Sequence, residues 1–135
     1  KKEKNIKKFI LMNTAGNSNR DLNEKNSFAQ NCIMSVIRNL IPPHKDNENA
    51  SDYLRKNIGQ NNKYLQWCVV RPDALIDEIE KSKYELHPSP TRSAIFNSGT
   101  TSRINVADLM STLHEDRNVW NKWQGQMPVV YNSIA

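Results

Sequence analysis

Two residues of the chain are spaced for proton transfer. His44 and Glu48 lie four positions apart at the start of a segment with helical periodicity, so both side chains fall on one helix face. An imidazole beside a carboxylate can hold or shuttle a proton near neutral pH. The alternative is a surface pair in the first helical turn, where Asp46 and Glu48 also complement the helix dipole.

The segments around this pair predict an α/β fold. Residues 9–12 and residues 67–70 are continuous apolar runs, which are typical of strands buried on both faces of a parallel sheet. Helical segments and polar loops separate them, as in open sheets that bind ligands at the carboxyl ends of their strands. We therefore expect a short parallel sheet flanked by helices in three layers, within one domain covering residues 1–135.

Both predicted strands end in residues that suit a ligand-facing edge. The first is followed by Thr14, Ala15 and Gly16, whose small size lets a ligand or a backbone come close, although an ordinary turn has the same composition. The second ends at Arg71 and Pro72, because proline cannot donate a hydrogen bond to a strand ladder. The loops after these strands are the expected binding edge.

Helical periodicity predicts three helices and a short helical turn. Ser27 is the expected cap of the first helix, which two consecutive prolines terminate. The second helix covers residues 44–56. Asn105 is the expected cap of the third, and the following turn carries Trp120 and Trp123, which we expect to pack in the core.

The remaining segments predict loops and one excursion from the sheet. Residues 17–26 and 97–101 are polar enough for loops, and residues 73–77 resemble a turn or a helix start. Residues 84–96 predict two short strands around a proline-rich corner, which form a hairpin excursion. Residues 128–131 predict a last short strand.

Composition favours one domain that binds neither nucleic acid nor membrane. The chain has 135 residues and a net charge of +5, enough length for one domain with a core. No run reaches the roughly 18 apolar residues of a membrane helix. Much of the positive excess lies next to the first strand, where a solvated face is favoured over a phosphate-binding patch, in Lys1, Lys2, Lys4, Lys7 and Lys8.

The two cysteines favour a cytoplasmic protein. Cys32 and Cys68 both fall in apolar runs, so we expect buried, reduced thiols. Without a C-x-x-C pair or a neighbouring histidine pair they give no zinc spacing, and no metal site is predicted. The chain begins with Lys1 instead of methionine, which suggests a processed chain or a fragment.

The order of four blocks resembles a known family. Residues 9–15 (FILMNTA), 44–54, 67–73 (WCVVRPD) and 102–108 (SRINVAD) follow one another as in the carboxyl-terminal half of an atypical short-chain dehydrogenase/reductase. The most similar branch is the NAD(P)H-binding, NmrA-like and flavin-reductase-like group, and the resemblance covers nearly the whole chain. It implies a Rossmann sheet with strand order 3-2-1-4-5-6-7, of which this chain would hold the fifth, sixth and seventh strands.

The resemblance also implies an NAD(P)H site. Residues at the end of the fifth strand would lie beside the nicotinamide ribose, namely Asn13, Thr14 and Ala15. The nicotinamide side would be walled by Arg71, Pro72, Ala74, Leu75 and Ile76. The tyrosine and lysine that typical members carry four residues apart align with His44 and Glu48, and neither residue matches. Cofactor binding therefore follows from the resemblance more directly than catalysis does.

The chain lacks the residues that bind the cofactor's pyrophosphate. The fingerprint G-x-x-G-x-x-G needs closely spaced glycines, and no two of the four present lie within three residues of each other: Gly16, Gly59, Gly99 and Gly125. The phosphate-binding half is thus absent. A fifth strand without its outer neighbour would also expose an apolar edge, which a missing amino-terminal half or a partner chain is expected to cover.

The resemblance implies an NAD(P)-binding, reductase-like protein. With a complete domain, the expected reaction is hydride transfer from NAD(P)H to a small carbonyl, quinone or flavin substrate. The substrate would lie over His44, Asn13 and the excursion of residues 84–96. Two alternatives remain, a non-catalytic module that senses NAD(P) or binds a protein partner, and a truncated relic without a cofactor site.

Overall fold

The computed structural model describes residues 5–40 and 42–134, apart from the side chains of residues 38, 39 and 42. The predicted α/β class is confirmed, with strands and helices alternating along much of the chain. The elements are β1 (Lys7–Met12), α1 (Phe28–Leu40), α2 (Pro42–Tyr53), β2 (Leu65–Pro72), β3 (Ala74–Ile76), β4 (Tyr84–His87), β5 (Thr100–Ser102), α3 (Arg103–Glu115), α4 (Arg117–Trp123) and β6 (Val129–Asn132).

The main sheet has the order β1-β2-β6-β4. The first three strands are parallel, with Phe9 opposite Trp67 and Arg71 opposite Val129, and β4 runs antiparallel to β6. In a Rossmann sheet, the fifth, sixth and seventh strands would likewise be adjacent, parallel and in chain order. A second, two-stranded parallel sheet joins β3 to β5.

The central strand β2 is buried on both faces. Cys68 and Val70 face α3 and α4, where Leu109 and the two predicted core tryptophans complete one cluster. Trp67 and Val69 face the other way, against Leu54 and Met127. Successive residues of a strand point to opposite faces, so a continuous apolar run is the pattern that this position needs. The prediction that Trp120 and Trp123 pack in the core is confirmed.

The first strand departs from the prediction. Residues 9–12 were expected to be covered on both faces, but β1 is the edge of the sheet, and Phe9 and Met12 are 44% and 47% exposed. The expectation was wrong because an apolar run indicates that a strand favours burial, but it does not indicate whether another strand or helix is present to cover it.

Two helix starts differ in detail from the sequence pattern. The Ser27 cap is confirmed, since its hydroxyl accepts the N–H of Gln30 at 3.1 Å. The double proline begins α2 in addition to ending α1, because proline is well suited to a first helical turn. Asn105 does not cap α3. Ser102 does, while the Asn105 side chain is buried and bonds Ser82 and Asn132.

Four further predictions are corrected. Residues 73–77 and 97–101 contain strands, because β3 and β5 pair with each other. The excursion of residues 84–96 contains one strand, β4, instead of two, and its proline-rich remainder forms turns. Cys32 is exposed on α1, whereas Cys68 is buried as expected, and its burial raises the pKa of that thiol to about 12.

The basic amino end has a structural role at Lys8. Its ammonium donates to the carbonyl oxygens of Leu113 and His114 at 3.3 and 2.9 Å, at the carboxyl end of α3. A cation is favourable there because of the helix dipole. Lys1, Lys2 and Lys4 lie outside the described residues. Within the described part of the chain, no helix has the length and apolar character to cross a membrane.

Candidate functional site

The carboxyl ends of β1 and β2 meet at one edge of the sheet. The N–H of Asn13 donates to the carbonyl of Val70 at 2.7 Å, and the N–H of Ala15 donates to that of Pro72 at 2.8 Å. The two predicted ligand-facing loops therefore start side by side. This is the edge at which open α/β sheets bind their ligands.

Hydrogen bonds from two asparagine side chains hold helix α2 over this edge. The Asn13 Nδ2 atom donates to the carbonyl of Asn47 at 2.8 Å. Asn17 donates to the Ser51 hydroxyl at 2.7 Å, one helical turn further on. These bonds fix the first turns of α2, and with them His44, relative to the end of β1.

A cavity of about 300 Å³ opens where these segments converge. Thr14 and Gly16 line it from the end of β1, Asp73 and Ala74 from the segment after β2, and His44 from α2. Aliphatic side chains of α1 and of the loop after β4 complete its wall. We call this space the His44 cavity. It brings together one imidazole, one carboxyl group and the hydroxyl groups of Thr14 and Ser98 beside apolar surface.

His44 and Glu48 are a mostly buried pair. The His44 Nε2 atom lies 3.5 Å from Glu48 Oε1, and each side chain is 10% exposed. The same His44 atom makes no hydrogen bond to the described part of the chain. Arg20 approaches the other oxygen of Glu48 at 4.0 Å. The imidazole, the carboxylate and the guanidinium thus lie in a short row that leads from the cavity to the surface.

Arg71, a predicted wall residue, directs its side chain into the protein. Its guanidinium donates to both oxygens of Glu24 at 2.8 and 3.0 Å and to the carbonyl oxygens of Asn17, Met127 and Pro88. The Arg71 and Glu24 side chains are 0% and 3% exposed. The arginine therefore ties together four segments of backbone around the binding edge.

The other predicted wall residues divide into two groups. Ala74 lines the His44 cavity, and Pro72 is buried at the end of β2. Leu75 and Ile76 continue β3, which pairs with β5, and among the described residues they are not part of the cavity wall. The structure therefore unites the predicted residues Thr14, His44 and Ala74 but not all members of the set.

Asp73 is a cavity residue that the sequence analysis did not select. Its N–H donates to the Thr101 hydroxyl at 3.2 Å, and its Oδ2 atom accepts the N–H of Gly99 at 2.8 Å. Burial raises the pKa of the Asp73 carboxyl, while the N–H groups of Gly99 and Ala74 oppose that shift. The available signal was its position, since a carboxylate directly after a buried parallel strand lies at the binding edge.

A family model for NAD(P)H-binding proteins matches residues 1–117. The chain belongs to this NAD(P)H-binding family. The resemblance predicted from the four sequence blocks is thereby confirmed. A comparison with curated proteins found no match.

Solved structures confirm the Rossmann-like fold. One from Bacillus halodurans, named for an inferred NAD-dependent epimerase/dehydratase, has a TM-score of 0.58 at 19% identity, over 93% of this chain and 46% of that one. The oxidoreductase ylbE from Lactococcus lactis has a TM-score of 0.56 at 18% identity, and the match covers 93% of this chain and 46% of that one. A wide-type short-chain dehydrogenase/reductase from Veillonella parvula, in complex with NADP, has a TM-score of 0.54 at 17% identity, and the match covers 91% of this chain and 49% of that one.

The chain spans about half the length of these structures. At such identities the likeness is one of fold. No group of three or more potential metal ligands occurs among the residues that the structure describes. The imidazole, carboxyl and hydroxyl groups that line the His44 cavity can form hydrogen bonds and transfer protons, and its aliphatic side chains can make apolar contact with a ligand.

Proposed function

We propose that this chain forms the nicotinamide side of an NAD(P)H site in a reductase-like protein. The observation that carries the proposal is the His44 cavity, which lies at the carboxyl ends of adjacent parallel strands in a chain of the NAD(P)H-binding family. Its volume of about 300 Å³ is at the lower limit for small-molecule pockets. That volume suits a nicotinamide ring and its carboxamide better than a whole dinucleotide.

The proposed reaction is hydride transfer to a small carbonyl, quinone or flavin substrate. Bound NAD(P)H would supply the hydride. Thr14 and the backbone of Ala15 would hold the ribose, with Asn13 positioning α2 through its bond to Asn47. His44 would donate a proton to the reduced oxygen, and Glu48 would orient the imidazole. The two free cysteines, without a disulfide in the described residues, suit the proposed cytoplasmic location.

Changing His44 to Ala is expected to lower turnover about 10²–10⁴-fold, the usual contribution of a positioned acid or base. The Kd for NADPH should change little, because the proposed role of the His44 imidazole is to donate a proton to the substrate and not to bind the cofactor. The measurement is NADPH fluorescence titration followed by NADPH oxidation with a panel of quinones and aldehydes, on the whole natural protein and on its variants.

His114 provides the matched control, since it is exposed at the end of α3, and His114→Ala should leave both quantities unchanged. NADPH binding without oxidation of any panel member would favour the second candidate, a non-catalytic module that senses the cofactor. The absence of the usual tyrosine and lysine at positions 44 and 48 favours that candidate. Failure to bind either NADH or NADPH would refute both.

We further propose that the amino-terminal half of a Rossmann sheet, absent from this chain, pairs with β1. An apolar groove of about 330 Å³ runs along that edge, lined by Phe9, Leu11, Ala50, Tyr53, Leu54, Ile58 and Leu65. Unpaired strand edges with apolar side chains recruit other strands. The proposal is supported by the half-length match to the solved structures, whose chains are about twice as long.

The chain alone is therefore expected to self-associate through β1. Sedimentation velocity at increasing concentration should show oligomers, and Phe9→Lys should shift the chain towards monomer because a charge blocks edge pairing. Phe96→Lys is the matched control, since Phe96 is also exposed but lies in the loop after β4. A chain that remains monomeric at all concentrations would count against an unsatisfied edge.

A further inference from the structure

A second and larger cavity lies beside the start of α1. It has a volume of about 510 Å³ and is formed by the loop before α1, the first turn of that helix and the loop after β4. Lys25, Ser27, Arg92, Ser93 and Phe96 are among its lining residues. The loop after β4 also contributes Ala94, Ile95 and Ser98 to the His44 cavity, so one loop separates the two spaces.

The charge around this cavity is predominantly positive. Lys25 and Arg92 bring two cations, whereas Glu24 is the one acidic residue among the described lining residues. Both oxygens of Glu24 are bonded to Arg71, so its negative charge is already compensated. The first turn of α1 contains no acidic residue either, which leaves its positive dipole end without a balancing side chain.

The walls of the cavity are bonded to one another. The Ser93 hydroxyl donates to Gln30 Oε1 at 2.8 Å, which joins the loop after β4 to α1. The same hydroxyl oxygen accepts the N–H of Phe96 at 3.1 Å, and Ser27 accepts the N–H of Gln30. One hydrogen bond therefore joins the two walls of the cavity, and each wall contains a local hydrogen bond of its own.

We propose that this cavity binds a small organic anion, whose carboxylate or phosphate group is held by Lys25 and Arg92. Arginine forms paired hydrogen bonds with either group, and lysine adds a second charge. Phe96 is largely exposed at the wall and would contact an apolar part of the ligand. The proposal does not require nicotinamide binding, because Lys25, Arg92 and Phe96 are not among the residues that line the His44 cavity.

The test is an NMR titration of the isotopically labelled chain at constant ionic strength, with sodium benzoate and inorganic phosphate as separate probes. We expect saturable shifts at the amides of residues 25–30 and 91–97 with at least one probe. Tighter binding of benzoate would identify a carboxylate ligand with an apolar body, and tighter binding of phosphate would identify a phosphate ester. Either result supports the anion site.

Substitution of the two cations should weaken this binding. Arg92→Gln and Lys25→Gln are each expected to raise the Kd at least fivefold, whereas Lys63→Gln, an exposed lysine before β2, should not change it. A two-dimensional spectrum of each variant establishes that the fold is intact. Shifts that do not saturate, that sodium chloride reproduces, or that persist in Arg92→Gln would overturn the proposal.

Discussion

Replacing Arg71 with methionine is expected to lower the free energy of unfolding by about 3–5 kcal/mol, which is the range for breaking a buried ion pair from one side. Methionine fills a similar volume but offers no donor. The Glu24 carboxylate would then remain 3% exposed without its bidentate partner. Three carbonyl oxygens, those of Asn17, Met127 and Pro88, would lose the same donor.

The expected loss is a large share of the total stability of a small domain, which is about 5–15 kcal/mol. Urea unfolding followed by circular dichroism measures it. Arg103→Met is the matched control, because Arg103 pairs with Asp77 at 2.8 Å while the two side chains are 57% and 86% exposed. Exposed pairs contribute about 0–1 kcal/mol. Similar losses in both variants would show that the burial of the Arg71 pair is unimportant.

A second substitution separates the charge from the packing. Glu24→Gln in the Arg71→Met background removes the unpaired carboxylate while retaining an oxygen that can accept the N–H of Asn19, now bonded at 2.7 Å. We expect it to recover part of the lost stability. Glu24 also lines the cavity of about 510 Å³ beside α1. Repeating the anion titration on this double variant would show whether the Arg71–Glu24 ion pair is needed for anion binding in that cavity.

The behaviour of Arg71 shows what sequence reasoning could and could not establish at this site. The end of β2 was predictable, since an apolar run followed by Arg-Pro must stop there. The direction of the guanidinium was not, because its carboxylate partner lies 47 positions away in a loop without periodicity. The assignment of Arg71 to the cofactor wall thus rested on its place in the sequence blocks.

Predictions from local sequence failed where contacts with a distant segment decide between two conformations that the local sequence allows equally. Ser102 and Asn105 are both good helix caps, three residues apart. Ser102 is the cap because β5 pairs with β3 up to that residue, while Asn105 is buried in bonds to Asn132 and Ser82. In the same way, Ala74–Ile76 is too short to show a strand pattern without the distant segment that pairs with it.

The His44 cavity was predicted in part for a related reason. Thr14 and His44 were selected from a strand end and from helical spacing, which depend on local pattern, and Ala74 was selected from the family resemblance. The three do line one space. The position of Asp73 directly after a buried strand was also a local signal, whereas the Gly99 N–H that holds its carboxylate comes from a distant segment. Exposure of Cys32 likewise depends on which face of α1 finds a neighbour, and periodicity alone contains no information about that.

Replacing Trp67 with alanine is expected to lower the free energy of unfolding by about 3–5 kcal/mol, the range for removing a large aromatic side chain from a core. Trp67 is 2% exposed and fills the layer between β2 and the π-helical turn Leu54–Ile58 that follows α2. Its indole N–H donates to the carbonyl of Gly59 at 2.9 Å, just after that turn. The indole therefore anchors the end of the segment whose beginning carries His44.

Trp67→Phe isolates the hydrogen bond from most of the packing, and about 1–3 kcal/mol should be lost because the Gly59 carbonyl loses its donor and a smaller cavity remains. Tyr64→Ala is the matched control, since Tyr64 is 71% exposed three residues earlier, and its removal should change stability by no more than about 0.5 kcal/mol. Urea midpoints give all three values. A loss below about 1 kcal/mol in Trp67→Ala would mean that the layer beneath α2 repacks freely, and the position of His44 would then have to be maintained by the Asn13 and Asn17 bonds alone.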